Sequence, residues 1–384
     1  MGTQTPDKLR KIFIVTERRA DYSRFKPILE IIHEDPDLDY DLVVTGIHLK
    51  DEHGRTINEI KKDGFKIFST FDMFEDDEDT GASMTRALGR ALVKIAHALE
   101  SSRPDIILSG FDIAANLAAT IAGAHMNIPV AHIQGGEVSG TIDESIRHAM
   151  SKFSHYHMTA NEDATKRLVR MGEIPEHVFN VGCPSLDAIM KVPVIPKEVL
   201  FEKFNLKPPY ALVLQHAVTT EVDCTNSQIH ATLEAVAESK ISALIIMPNN
   251  DAGSSQIIKK IKKMNIQYVA TLSLEEYVNL LRHSSILIGN SSSGIHETAT
   301  FGVPTINVGT RQSGRLRARN VLDVNHDKKE ILKAIDICLH SREFIERCAS
   351  TPNPYGDGAS APRIVKLLKE IDIGNEIIQK RITY

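Results

Sequence analysis

The sequence predicts an α/β protein made of two Rossmann-like, doubly wound domains that face each other across a cleft. Three observations carry this expectation. Short apolar, β-rich runs alternate with helical patterns from residue 11 onward; a Pro-containing joint, Val192–Pro209, interrupts the alternation once before it restarts; and several apolar runs end in polar or glycine-rich residues. At 384 residues and 42% hydrophobic content, the chain can furnish two cores.

In chain order, Lys11–Thr16 reads as the first strand and the segment Arg24–His33 as the first helix, followed by strands at Tyr40–Thr45 and Phe65–Thr70. An amphipathic stretch, Met84–Leu99, precedes the run Asp105–Ser109. The Ala-rich helix Ala114–His125 precedes Ile128–Ile133, and another helix leads to His155–Thr159. Beyond the joint come Tyr210–Leu214, Ala243–Met247, Gln267–Ala270, Ile286–Ile288 and Thr305–Val308. Residues 1–194 are therefore expected to form the first domain and 195–360 the second. After the Tyr355-Gly-Asp-Gly loop, Ala361–Ile371 is again helical, so 361–384 is expected to cross back and complete the first domain.

Lys and Arg total 45 against 50 Asp and Glu, a formal charge of −5, and no basic run resembles a nucleic-acid arm; neither nucleic acid nor anionic membrane is an expected partner. The four cysteines show neither CxxC spacing nor a disulfide framework, and no metal cluster is expected. Met1 to Leu9 lacks the apolar core of a signal peptide, and no apolar run is long enough to span a bilayer, so a soluble cytoplasmic protein is expected.

The polar strand ends carry the chemistry. Gly289-Asn-Ser-Ser-Ser-Gly294 follows an apolar run and opens a helix-like segment from Ile295 to Phe301. Its free amides, the Ser291 and Ser292 hydroxyls and a helix dipole suit a phosphate, and Glu297 can accept both hydroxyls of a ribose; a Ser-rich turn capping an ordinary helix is the alternative. After the first strand, two arginines before a helix can neutralise a pyrophosphate, with Ser23 close by and Asp21 as a helix cap; Arg19 and Asp21 can equally pair with each other. The absence of GxGxxG argues against a nicotinamide dehydrogenase. Asp112, after Ser109-Gly-Phe, suits proton transfer or caps the Ala-rich helix. Gln134-Gly-Gly-Glu137 leads to Asp143, Glu144 and Arg147, several carboxyls that serve either proton shuttling or a helix start. In the second domain His216, Asn249, Asp251 and Arg311 stand at three strand ends, placed for phosphate, substrate and leaving group.

Taken together, Arg-Ala-Asp-Tyr-Ser (19–23), His-Ile-Gln-Gly-Gly-Glu-Val-Ser-Gly-Thr-Ile-Asp (132–143), Ser-Ile-Arg-His (145–148), Gly-Cys-Pro-Ser (182–185), Gln-His (215–216), Gly-Asn-Ser-Ser (289–292) and Gly-Thr-Arg-Gln (309–312) resemble the hydrolysing UDP-N-acetylglucosamine 2-epimerases, sialic-acid-pathway enzymes that include the epimerase half of the bifunctional epimerase/kinase. The resemblance runs from about residue 10 to 370. It implies a GT-B-like arrangement, a UDP-sugar in the cleft, and a homodimer or homotetramer. It also implies anti elimination of UDP to a 2-acetamidoglucal, then hydration to free ManNAc, with no metal or nicotinamide cofactor. Asp112, Glu137, Asp143, Glu144 and His216 match family positions for the proton work or its support. Arg19, Ser23, Ser291, Ser292, Glu297 and Arg311 match nucleotide-binding positions, and Asp21, Gln134, Arg147, Asn249, Asp251 and Gly294 are expected beside them. Many relatives carry Gly-Asp-Arg where this chain has Phe111-Asp-Ile113, and Glu or His where Gln134 stands. These differences leave open a 2,4-diacetamido-6-deoxy sugar nucleotide as substrate. A non-hydrolysing epimerase, a retaining glycosyltransferase and a silent sugar-nucleotide sensor are the other readings.

Overall fold

The computed structural model describes residues 9–75 and 80–384, so the polar amino-terminal stretch, Leu9 excepted, lies outside the described residues. Two parallel sheets organise the chain. The first contains β1 (Arg10–Thr16), β2 (Leu38–Val44), β3 (Ile67–Thr70), β4 (Ile106–Gly110), β5 (Val130–Ile133), β6 (Tyr156–Thr159) and β7 (Val178–Asn180), in the order β3-β2-β1-β4-β5-β6-β7. The second contains β8 (Tyr210–Leu214), β9 (Ser242–Ile246), β10 (Gln267–Val269), β11 (Ile286–Gly289), β12 (Thr305–Val308) and β13 (Val321–Val324), in the order β10-β9-β8-β11-β12-β13. Every pairing is parallel.

Helices cover both faces of each sheet, which is why the central strands read as unbroken apolar runs. Ile12 and Ile14 point into one layer with Phe25, Ile28 and Leu29, while Phe13 and Val15 point into the other with Ala91, Ile95 and Ala118. Two strands escape the sequence pattern, β7 and β13. Both lie at sheet edges, are three and four residues long, and are partly exposed, so neither carries an apolar signature.

Strand order reverses between β1 and β4 in the first sheet and between β8 and β11 in the second. Parallel sheets open a crevice outside the carboxyl ends of such neighbours, and the two crevices face each other. Residues 17–23, 111–113, 215–216 and 290–292 follow these four strands directly.

The joint is not a bare linker, because it contains the helix Lys197–Lys203, whose Leu200 packs with Phe204 and Leu206 into the second core. The chain crosses back near residue 355. There the Cys183 amide donates to the Tyr355 carbonyl (2.8 Å), and Asp187 accepts from the amides of Ser360 (3.0 Å) and Ala361 (2.8 Å). The helix Ser360–Glu370 then buries Ile364, Val365 and Leu368 in the first core beside Phe25 and Ile28. No helix among the described residues is long and apolar enough to cross a membrane.

Candidate active site

At the end of β1 the chain turns into the helix Arg19–Glu34, which starts earlier than the periodicity suggests because Asp21 holds the turn: its carboxylate accepts from the amides of Glu17 (3.0 Å) and Arg18 (2.8 Å). Asp21 therefore spends its acceptors on the loop rather than on a ligand, and it does not pair with Arg19, whose guanidinium lies 4.0 Å from Glu59. Ser23 donates to the Ala20 carbonyl at the cleft wall. Arg18 bridges the domains between Glu17 (2.9 Å) and Asp251 (3.6 Å).

Asp112 does not cap the following helix. The N-cap position of Ala114–His125 is Ile113, and the Ala115 amide is taken by Glu17 Oε2 at 2.9 Å. Phe111 (φ 69°) and Asp112 (φ 46°) both adopt left-handed backbone, at a cost of about 1–3 kcal/mol each, in a turn that delivers Asp112 to the cleft. There its carboxylate is ion-paired with Arg147. Arg147, on the helix Ile142–Phe153, also donates to the Glu137 carbonyl (2.9 Å), tying the two acidic loops together.

Glu137 reaches into the second domain. His296 Nε2 lies 3.2 Å from its Oε2 and Arg315 Nε 3.7 Å, while Gln134 Nε2 donates to its Oε1 (3.3 Å). Burial alone would raise this carboxyl, but His296, Arg315 and Arg147 hold it well below the usual range. Burial lowers His296 to about 4, so the ring is neutral at pH 7 and the two arginines supply the positive charge that keeps Glu137 ionised.

Asp143 shows the opposite behaviour: burial first, then the charge of Asp112, raises it. Its neighbour Glu144 turns away from the cleft. That carboxylate accepts from the Ser139 amide (2.7 Å) and lies 3.7 Å from His148, so it holds the helix start and loop instead of facing a substrate.

In the second domain the Asn249 amide donates to His216 Nδ1 (3.2 Å), leaving Nε2 to carry the proton, and burial lowers this imidazole so that it is neutral. Asn249 Nδ2 donates to Asp251 (2.9 Å), and Arg311 lies between Asp251 (3.5 Å) and Asp143 (3.9 Å). Ser291, Ser292 and Glu297 line the cleft, with Tyr277 donating to Glu297 Oε2 at 2.7 Å. The helix after this loop is only Ser293–His296, followed by a 3-10 turn, Thr298–Phe301. The hydroxyls and amides, more than a long helix dipole, are therefore what the loop offers an anion. Gly294 faces away: a Cβ there would lie 2.8 Å from Thr305 Cγ2, so this glycine lets the turn sit close on β12.

Arg24, Tyr277, His296 and Arg315 also line the cleft, and the sequence-derived set does not include them. Arg24 lies over the Phe111 ring (5.2 Å) and donates to Gln134 Oε1 (3.3 Å), which puts a cation beside the turn that carries Asp112. Among the described residues no three His, Cys, Asp or Glu side chains gather to hold a metal ion.

Residues 30–369 match the family model described as UDP-N-acetylglucosamine 2-epimerase. The chain is 37% identical to the UDP-N,N'-diacetylbacillosamine 2-epimerase (hydrolyzing) of Legionella pneumophila over 98% of its length and 100% of the relative's. It is 33% identical to the UDP-N-acetylglucosamine 2-epimerase of Neisseria meningitidis, covering 97% of this chain and 98% of that one. Among solved structures, the Neisseria meningitidis UDP-GlcNAc 2-epimerase bound to UDP-GlcNAc superposes with a TM-score of 0.80 at 19% identity, over 94% of this chain and all (100%) of the other, a likeness of fold.

Proposed function

The chain belongs to the UDP-N-acetylglucosamine 2-epimerase family, and from that premise we propose that it is a hydrolysing 2-epimerase, converting a UDP-linked 2-acetamido hexose to UDP and the free 2-epimer. The observation that best supports this is the pair of opposed carboxyl environments in one cleft. Asp143, pushed up beside Asp112, is suited to hold and give a proton, and Glu137, kept ionised by arginines, is available in the same cleft as an acceptor, though a weak base. In the elimination, C2 loses its proton while the C1–O bond breaks and its electron pair leaves with UDP, giving a 2-acetamidoglucal. Water then adds its oxygen to C1, and C2 regains a proton on the opposite face. Arg18, Arg19 and Arg311 line the same cleft, and their positive charge would suit the departing pyrophosphate.

The sugar has two readings, UDP-GlcNAc and its 4-acetamido-6-deoxy counterpart. Phe111 and Ile113 line the cleft with apolar surface, which favours the less hydroxylated sugar, the type named for the Legionella relative. In D2O each accepted substrate should yield stoichiometric UDP and free 2-epimer carrying deuterium at C2, read by NMR. A product that remains joined to UDP would assign the non-hydrolysing reaction, and retained C2 protium would sink the elimination route. A higher kcat/KM for the 2,4-diacetamido sugar nucleotide would favour the second reading, and a higher value for UDP-GlcNAc the first.

Nucleotide grip is separable from chemistry. A hydroxyl bonded to charged phosphate contributes about 1.5–3 kcal/mol, so Ser292→Ala should weaken UDP binding by about 10- to 150-fold in a calorimetric titration. Unchanged affinity would move the phosphate off the Ser291–Ser292 loop.

A further inference from the structure

His296 belongs to the wrong domain for a proton-transfer site, yet it is the residue that holds Glu137. It ends the turn Ser293–His296, between the serine loop and Glu297, so its backbone is part of a segment that lines the cleft and, on the reading above, faces the nucleotide. Its side chain points across the domain junction to Glu137, 159 residues away. The ring is 1% exposed and stands edge-on to Tyr355, with centroids 4.4 Å apart.

Because Glu137 at neutral pH offers only acceptors, the imidazole proton must lie on Nε2. With that proton in place Nε2 cannot also accept, so the Arg315 Nη1 atom 3.4 Å away makes no bond to the ring, and it is Arg315 Nε, 3.7 Å from Oε2, that faces the same carboxylate. Nδ1 has no hydrogen-bond partner among the described residues. Packing on Tyr355 and the bond to Glu137 therefore set the ring's orientation. Arg315 supplies the charge that keeps Glu137 ionised, and what His296 adds is direction: a neutral, rigid donor on one carboxylate oxygen, opposite the Gln134 amide on the other.

We propose that His296 is a positioning residue that aims the Glu137 carboxylate from the nucleotide-facing segment, so that Glu137 is oriented for reaction only while the two domain faces are together. This rests on the reading of Glu137 as a proton-transfer group. The coupling has a direct physical basis: the turn that would move with bound nucleotide carries the donor itself, with no intervening chain.

The test compares His296→Phe, which keeps a ring against Tyr355 and removes the donor, with His296→Gln, which keeps a neutral N–H donor. Glu137→Gln serves as the reference, and His296→Leu replaces the Phe variant should that one not fold. For each, kcat, KM and UDP affinity are measured. We expect His296→Phe to lose about 10- to 100-fold in kcat with KM and UDP affinity within about twofold of wild type, and His296→Gln to recover most of the loss. In the double variant with Glu137→Gln, His296→Phe should cost nothing further, because its effect runs through that carboxylate. Wild-type kcat in His296→Phe beside an impaired Glu137→Gln would overturn the proposal, as would equal losses in the Phe and Gln variants accompanied by lost UDP affinity, the pattern of a merely structural turn. Wild-type turnover in Glu137→Gln would instead remove the role of Glu137, and the proposal with it.

Discussion

Asp112→Asn should lower kcat by about 10²- to 10⁴-fold while leaving UDP affinity within about twofold, because it removes the carboxylate whose charge helps to keep the proton on Asp143 and touches nothing in the serine loop. The amide still offers an acceptor to Arg147, so the variant keeps a hydrogen bond at the buried guanidinium and remains a fair test of chemistry rather than of folding. A second signature follows from Asp143. The charge of Asp112 helps to raise the Asp143 carboxyl, so its removal lets that carboxyl ionise at lower pH. A step that needs protonated Asp143 is lost as pH rises through its pKa, and the alkaline limb of the kcat profile should therefore move to lower pH. Near-normal turnover in a folded Asp112→Asn protein would reduce this residue to an anchor for Arg147.

Gly140→Ala should cost about 10²-fold or more in kcat/KM without destabilising either domain. The Gly140 amide donates to the Arg311 carbonyl across the domain junction (3.0 Å), and a Cβ at this position would lie 1.9 Å from the Thr310 carbonyl oxygen. The obstacle is the opposing backbone, which has no rotamer to yield. Accommodating the methyl group forces the faces apart by roughly 1 Å, a misplacement of the size that costs about two orders of magnitude in rate. The melting temperature should stay within about 3 °C of wild type, since the loop belongs to neither core. Unchanged kcat/KM would mean that the approach of Gly140 to Thr310 is not part of the reactive arrangement.

How much of this was legible in the sequence depends on where each residue draws its partners. Strands buried on both faces, such as Ile12–Val15, announce themselves as apolar runs, and the polar groups that end them mark the cleft. The edge strands Val178–Asn180 and Val321–Val324 bury too little to leave a pattern. Asp143 and Glu144 are equivalent in sequence, but adjacent helical residues point about 100° apart, and only one faces the cleft. Asp112 reads as a helix cap because nothing local reveals that Glu17, from another strand, already occupies the Ala115 amide. His296 and Arg315 owe their roles to a carboxylate in the other domain, and Arg24 to the Phe111 ring and the Gln134 amide, partners that no local spacing encodes.

The return of the chain at Ser360–Glu370 has a mechanical meaning. Because the polypeptide passes between the domains twice, and both passages lie against the helix Pro184–Met190, the connection works as a door hinge rather than a tether. A single strand would let one domain swivel and slide over the other. Two adjacent crossings restrict sliding more than one would, which helps to keep Gly140 opposite Thr310 and Glu137 opposite His296.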